Sequence, residues 1–266
     1  MTPLTRKITV GADPEVFVCD NSGPKSAIGL LGGTKEAPRP VDFGAVQEDN
    51  VLAEFNIEPA ATEEEFLHNL NVVHTTLRLL LPDGLYTAAI SSHEYDMEYL
   101  QSLGRQAMEF GCDPDFNAYT CQANEAPSSR STLRTAGGHI HVGYNDPNPF
   151  DSYDIARAMD LYLGVPSVLM DEDVRRRSMY GKSGACRIKP YGVEYRVLSN
   201  FWLRDDNHMA WAYRQAVRAA HEFEDVVDER SKATANVPWQ VIQDTINNSD
   251  RRMAEQLVRE CDLEVA

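Results

Sequence analysis

Four short stretches of this chain alternate, residue by residue, between charged or metal-ligating side chains and apolar ones. They are GADPEVFV (residues 11–18), AEFNIEP (53–59), GGHIHVG (137–143) and GVEYRVL (192–198). In an extended strand, side chains two apart share a face. Asp13 and Glu15 therefore point together, as do Glu54, Asn56 and Glu58, then His139 and His141, then Glu194 and Arg196. Phe55, Ile57, Ile140, Val142, Tyr195 and Val197 point the other way. A chain with this pattern is constrained to a sheet that packs one face on a core and turns a polar face outward, which is an antiparallel habit.

The remaining segments supply helices without a regular β-α-β rhythm. Thr62 and Glu65 stand at capping-box spacing before Phe66, Leu70, Val73, Leu77 and Leu80, and Pro82 ends the run. Further helices are predicted over 97–111, 151–164 with Asp151 as N-cap, 165–178, and from about residue 205 to 262. YTAAISSHEY (86–95) reads as a strand. The polar segment 112–131 and the Gly-rich basic segment MYGKSGACRIKPYG (179–192) read as loops. The expected class is α+β with a mostly antiparallel sheet flanked by helices, in one domain spanning 1–266 whose C-terminal helical extension covers about 205–262.

Taken singly, each polar pair has an ordinary explanation. Asp13 before Pro14 can set a turn, an isolated H-x-H is commonly structural, and Glu194 with Arg196 can be a surface ion pair worth about 0–1 kcal/mol. The set is harder to dismiss. Brought into one sheet, these strands present five carboxylates, two imidazoles and one guanidinium, with almost none of the Lys, Thr, Ser and Gln usual on a wet sheet face. Clustered carboxylates repel and call for a counter-charge. A carboxylate-rich set without sulfur suits Mg²⁺ or Mn²⁺ better than Zn²⁺, and the ligand number allows two ions. The segment RRRSMYGKSGACRIK places Arg175, Arg176, Arg177, Lys182, Arg187 and Lys189 in an otherwise acidic chain. Its glycines permit the close backbone approach of a phosphate-binding loop, although no Walker A pattern occurs.

GADPEVFV, EFNIEPA, GGHIHVG, YGKSGACRIKPYG and VEYRV, in that order, resemble the carboxylate–amine ligases of the glutamine synthetase and glutamate–cysteine ligase superfamily. The resemblance is to the phage-type COOH.NH2 ligase type 2, or amidoligase, group. It implies a curved, mostly antiparallel sheet forming an active-site funnel, as in glutamine synthetase catalytic domains. It implies metal ligation by Asp13, Glu15, Glu54, Glu58, His139 and Glu194, with Asp13 where Glu is usual, and His141 nearer the substrate. It also implies nucleotide phosphates held by Arg196 together with Lys182, Arg187 and Arg177 of the basic loop. The implied reaction consumes ATP with Mg²⁺ or Mn²⁺: a carboxylate takes the γ-phosphoryl group as an acyl phosphate, and an amine displaces phosphate to give an amide. Arg196 would stabilise the transferring phosphoryl group. Either Glu58 or His141 would act as base toward the amine, the residues not deciding between them. The partners implied are small-molecule or peptide carboxylates and amines.

Two other classes stay open: a metal-dependent hydrolase, to which H-x-H and scattered carboxylates also fit, and a non-catalytic nucleotide- or peptide-binding relative. The basic Gly-rich loop favours the ligase over a hydrolase of neutral substrates. With 41 acidic and 25 basic residues and a formal charge of -16, nucleic acid is not an expected partner. Five cysteines without a C-x-x-C fit a reducing compartment. No apolar run suits a secretory leader or a membrane span. The expected location is the cytoplasm, that of the host if the gene is a phage's. The helices after 205 leave room for an oligomer interface.

Overall fold

The computed structural model describes residues 7–108, 115–124, 131–227 and 237–266. Its strands are β1 (Thr9–Asp20), β2 (Gly23–Lys25), β3 (Arg39–Val41), β4 (Gly44–Asp49), β5 (Leu52–Ile57), β6 (Tyr86–Ala88), β7 (Ser92–Glu94), β8 (Phe116–Asn117), β9 (Gln122–Ala123), β10 (Leu133–Thr135), β11 (Gly138–Gly143), β12 (Ala185–Lys189) and β13 (Gly192–Tyr195). Its α-helices are α1 (Glu63–Leu80), α2 (Met97–Ser102), α3 (Arg105–Met108), α4 (Pro149–Met159), α5 (Val165–Met170), α6 (Asp206–Val227), α7 (Trp239–Asn247) and α8 (Arg251–Glu260). The fold is α+β.

Among the described residues, one sheet runs β3-β4-β5-β1-β11-β13-β12-β8-β9, with β2 and β6 added on β1, and β7 pairs with β10 apart from it. Every strand pairing is antiparallel. The apolar face of the central strands is buried against α1, α4 and α6. Val10, Val16, Ala53, Phe55, Ile140, Val142, Val193 and Tyr195 all enter that core. The other face is left for the polar side chains. No helix among the described residues is long and apolar enough to cross a membrane.

Local chemistry explains the elements. The Thr62 hydroxyl accepts from the Glu65 amide at 3.2 Å, and the Glu65 carboxylate accepts from the Ala61 amide at 2.9 Å, closing the first turn of α1. Phe66, Leu70, Val73 and Leu77 are buried, each contributing roughly 1.5–3 kcal/mol by removal from water.

Several expectations are corrected. The helix predicted from Asp151 begins two residues earlier, because Asn148 is the cap and Pro149 fits the first turn; the Asn148 side chain accepts from the Asp151 amide at 2.9 Å. The segment 165–178 holds only the short α5 and a turn of 3₁₀-helix at Arg176–Ser178. The stretch 86–95 is two strands in separate sheets, and the helix over 97–111 breaks at Gly104, whose φ is +88°. The basic segment 179–192 is not all loop, for Ala185–Lys189 forms β12 and pairs with β13. The polar segment 112–131 contains the small hairpin β8–β9, while 109–114 and 125–130 lie outside the described residues.

Candidate functional site

Register places the polar face in order. Asp13 of β1 pairs with His139 of β11, and Gly11 with His141. His141 pairs with Glu194 of β13, which pairs with Arg187 of β12. On the other side Glu15 pairs with Glu54 of β5, which pairs with Gln47 of β4. A pocket of about 510 Å³ lies over this face, lined among others by Asp13, Glu15, Asp49, Glu54, His139, His141, Arg187, Lys189 and Arg196. Strand order thus lays out charge across the pocket, with carboxylates over β4, β5 and β1, imidazoles over β11, and cations over β13 and β12.

At the acidic end, Glu15, Asp49 and Glu54 each bring a carboxylate oxygen within 4.8 Å of the others. Burial, then the Asp49 charge, pushes the Glu15 carboxyl up to about 7 although the Gly137 amide donates to it at 2.7 Å. Burial raises Asp49 against the pull of Lys35 and the arginines, and burial with repulsion from Asp13, Asp49 and Glu15 lifts Glu54 well above the carboxylate range. Lys35, Arg196 and Arg187 draw Asp49 down, and Arg196 and Arg176 draw Glu15 down, but burial outweighs them.

The middle of the pocket is balanced. Asp13 Oδ1 lies 3.2 Å from His139 Nδ1 and 2.9 Å from His141 Nε2. Burial would raise the Asp13 carboxyl, but the two imidazoles, His141 foremost, hold it well below its usual range. Burial and Arg196 push His139 down to about 4, so its ring is neutral at pH 7. For His141 burial acts downward and Asp13 outweighs it, so its pKa is raised; its Nδ1 also meets the Tyr191 hydroxyl at 2.5 Å.

At the basic end, three cations surround one buried carboxylate. Glu194 is fully buried and meets Lys189 Nζ at 2.8 Å, Arg187 Nη1 at 3.4 Å and Arg196 Nη1. Burial and Asp13 raise the Glu194 carboxyl, yet Arg196 and the two histidines bring it to about 2. Arg196 Nε lies 3.5 Å from Asp115.

Asp13, His141 and Glu194 also offer ligand atoms within 4.8 Å of one another. The electrostatics separates the two clusters. The charges around them hold the Asp13 and Glu194 carboxyls below their usual range, whereas Glu15, Asp49 and Glu54 stay raised despite Lys35 and the arginines nearby. The acidic triad is the set whose chemistry fits a hard divalent cation.

Of the residues expected from sequence, Asp13, Glu15, Glu54, His139, His141, Glu194, Arg187 and Arg196 are brought together. Glu58 is not: β5 ends at Ile57, Pro59 turns the chain, and the exposed Glu58 side chain is not part of the pocket lining, although Ile57 and Pro59 on either side of it are. Lys182 is exposed ahead of β12, and Lys189 at the far end of that strand reaches Glu194 instead. Arg177 is buried away from the pocket, where its Nη2 donates to Ser167 Oγ at 2.9 Å and its Nη1 to Ser249 Oγ at 3.2 Å. Its neighbour Arg176 donates to the carbonyls of Val197 at 2.7 Å and Arg196 at 3.1 Å, bracing the chain that carries Arg196. Asp49, Gln47, Tyr191 and Asp115 escape the sequence reading. For Gln47 and Asp49 a signal exists, since GAVQED (44–49) places them two apart like the other pairs.

Residues 125–239, under half of the chain, match the family model described as Phage phiEco32-like COOH.NH2 ligase-type 2. The match covers β11, β12 and β13, which carry the imidazoles and the basic end. The resemblance read from the sequence stands over that stretch, and it supports a carboxylate–amine ligase. No curated protein matches the chain. Among solved structures, the crystal structure of a bifunctional glutathione synthetase from Pasteurella multocida aligns with a TM-score of 0.42 and 10% identity, over 96% of this chain and 49% of its own length. The chain therefore spans about half of that protein.

Proposed function

We propose that the protein is an ATP-dependent, ADP-forming carboxylate–amine ligase working through an acyl phosphate, with this domain as its catalytic unit and a glutamine synthetase-like funnel as its architecture. The observation that carries the reading is the two-signed pocket: a buried carboxylate triad at one end and a cationic cluster at the other, on strands of one sheet. A reaction between two anions, a carboxylate and a triphosphate, needs such an arrangement, and a hydrolase of neutral substrates does not.

Arg187, Lys189 and Arg196 face the triphosphate and offset the charge on the transferring phosphoryl group. A carboxylate oxygen of the first substrate attacks the γ-phosphorus as the bond to the ADP oxygen breaks. The amine then attacks the acyl carbon, and the bond to the phosphate oxygen breaks. The proton the amine loses goes to the hydrogen-bonded His141–Asp13 pair; both line the pocket, and Glu58 does not. Glu15, Asp49 and Glu54 would hold Mg²⁺ or Mn²⁺, which supplies the positive charge that lets triphosphate approach this acidic wall. No protein nucleophile is required.

The test is phosphate release from ATP with pooled carboxylates and amines, in wild type and Glu194→Ala. Phosphate and ADP that appear only with the pool, and only in wild type, support the ligase. Amide cleavage without ATP replaces this reading with a metal-dependent hydrolase.

A further inference from the structure

Behind the sheet, away from the pocket, one fully buried carboxylate gathers the hydroxyls of three separate segments. Asp160 Oδ2 accepts from Tyr119 at 2.8 Å and from Ser183 at 2.5 Å, and its Oδ1 accepts from Tyr195 at 2.7 Å. The Gly184 amide donates to the same carboxylate. These donors belong to the turn of the β8–β9 hairpin, to the lead into β12, and to the end of β13. They are the neighbours in chain of the basic end: Ser183 and Gly184 enter the strand that carries Arg187 and Lys189, Tyr195 lies between Glu194 and Arg196, and Tyr119 caps the hairpin next to Asp115.

The surroundings are built for this convergence. Asp160 opens a single π-helical turn, Asp160–Gly164, between α4 and α5. Pro166 follows it and cannot supply an amide to the turn before. Gly164 leaves room for Ile246 and Tyr195, since a Cβ there would lie 2.6 Å from Ile246 Cδ1 and 2.8 Å from the Tyr195 hydroxyl, and one of the two would have to shift. Gly184, with φ of +77°, passes under Tyr119, where a Cβ would come within 2.8 Å of the ring. Arg157 stacks on the Tyr119 ring at 5.8 Å and donates to the Ala118 carbonyl at 2.9 Å, holding the hairpin turn down. Four donors on one acid keep it ionised at neutral pH, although burial lifts it to about 6.

We infer that Asp160 is a positioning residue for the anion-binding end of the pocket: it locks β12, β13 and the β8–β9 hairpin to the helix layer, so that Arg187, Lys189 and Arg196 are held on one anion. This rests on the reading of that end as a triphosphate site. The acidic triad lies on β1, β4 and β5, which Asp160 does not touch, so the two ends respond separately.

The experiment uses the full chain, inorganic tripolyphosphate as one probe and Mn²⁺ alone as the other, each titrated calorimetrically. Asp160→Ala is expected to weaken tripolyphosphate about tenfold or more, and Ser183→Ala several-fold, while Mn²⁺ affinity stays within twofold. A merely structural role would weaken both ligands together, and that result, or tripolyphosphate affinity unchanged, overturns the inference. Should Asp160→Ala not fold, Ser183→Ala and Tyr119→Phe each remove one hydroxyl and decide the matter alone. Wild-type protein that binds no tripolyphosphate overturns the ligase reading as well, whereas binding that the variants share equally overturns only the role of Asp160.

Discussion

Neutralising one carboxylate of the acidic triad should stabilise the protein in the absence of a cation. The perturbation is Glu15→Gln, because the amide oxygen can still accept from the Gly137 amide that donates to Glu15 at 2.7 Å. Glu15 is pushed from 4.5 to about 7. A folded-state pKa raised above the unfolded value marks a carboxylate whose ionisation opposes folding. The penalty is full above about pH 7, shrinks as pH falls, and is gone below about 4.5. At roughly 1.4 kcal/mol per pH unit, it reaches about 3 kcal/mol at pH 8. For a chain of this size that is a rise in melting temperature of roughly 6 °C or more. Urea denaturation at pH 8 and pH 4.5, with chelator present, measures it: Glu15→Gln gains at pH 8 and not at pH 4.5. Adding Mn²⁺ narrows the difference, since wild type gains about 2.7 kcal/mol at a hundredfold excess over its dissociation constant and the variant loses a ligand. A variant less stable than wild type at pH 8 without cation, or one equally stabilised at both pH values, refutes the reasoning.

Other outcomes are expected at the remaining positions. Arg196→Lys loses about a hundredfold or more in ATP turnover with melting little changed, because one ammonium cannot serve the Glu194 and Asp115 sides together; rates read by phosphate release check it. Arg177→Ala lowers stability by about 1–3 kcal/mol by leaving the buried hydroxyl of Ser167 without its donor, and at saturating ATP it leaves turnover unchanged, contrary to a phosphate-binding role. Phe55→Ala costs about 3–5 kcal/mol in urea titration, since its ring is fully buried in the main core.

What was legible in the sequence followed period two. β1, β5, β11 and β13 each alternate cleanly, so their faces, and with them Asp13, Glu15, Glu54, His139, His141, Glu194 and Arg196, could be assigned before any pairing was known. β4 carries the same signal but is entered through Phe43, whose φ is +64°, and no strand was expected there. Its Asp49 became visible only when β4 paired with β5. β12 was hidden by Gly181 and Gly184 just ahead of it, and so Lys182 was expected beside Arg187 at the site, where Lys189 stands instead. Glu58 failed for the opposite reason: the alternation continues in the letters past the point where Pro59 ends the strand. Asp160 gives no local sign at all. On the page it is one polar residue of a helix, and its three hydroxyl partners lie 23 to 41 residues away.

The same strands explain how an unfavourable site face is tolerated. Two carboxylates of the acidic triad are flanked in sequence by side chains that bury on the far side: Val16 beside Glu15, and Ala53 and Phe55 beside Glu54. In one strand, Phe55 and Glu54 act on stability with opposite sign. Shifting the register by one residue to relieve Glu54 would turn Ala53, Phe55 and Ile57 out of the core together. The core therefore holds the triad together at the expense of stability. Binding of a counter-ion returns that energy, which makes ligand affinity and the strain of the empty face two readings of one quantity.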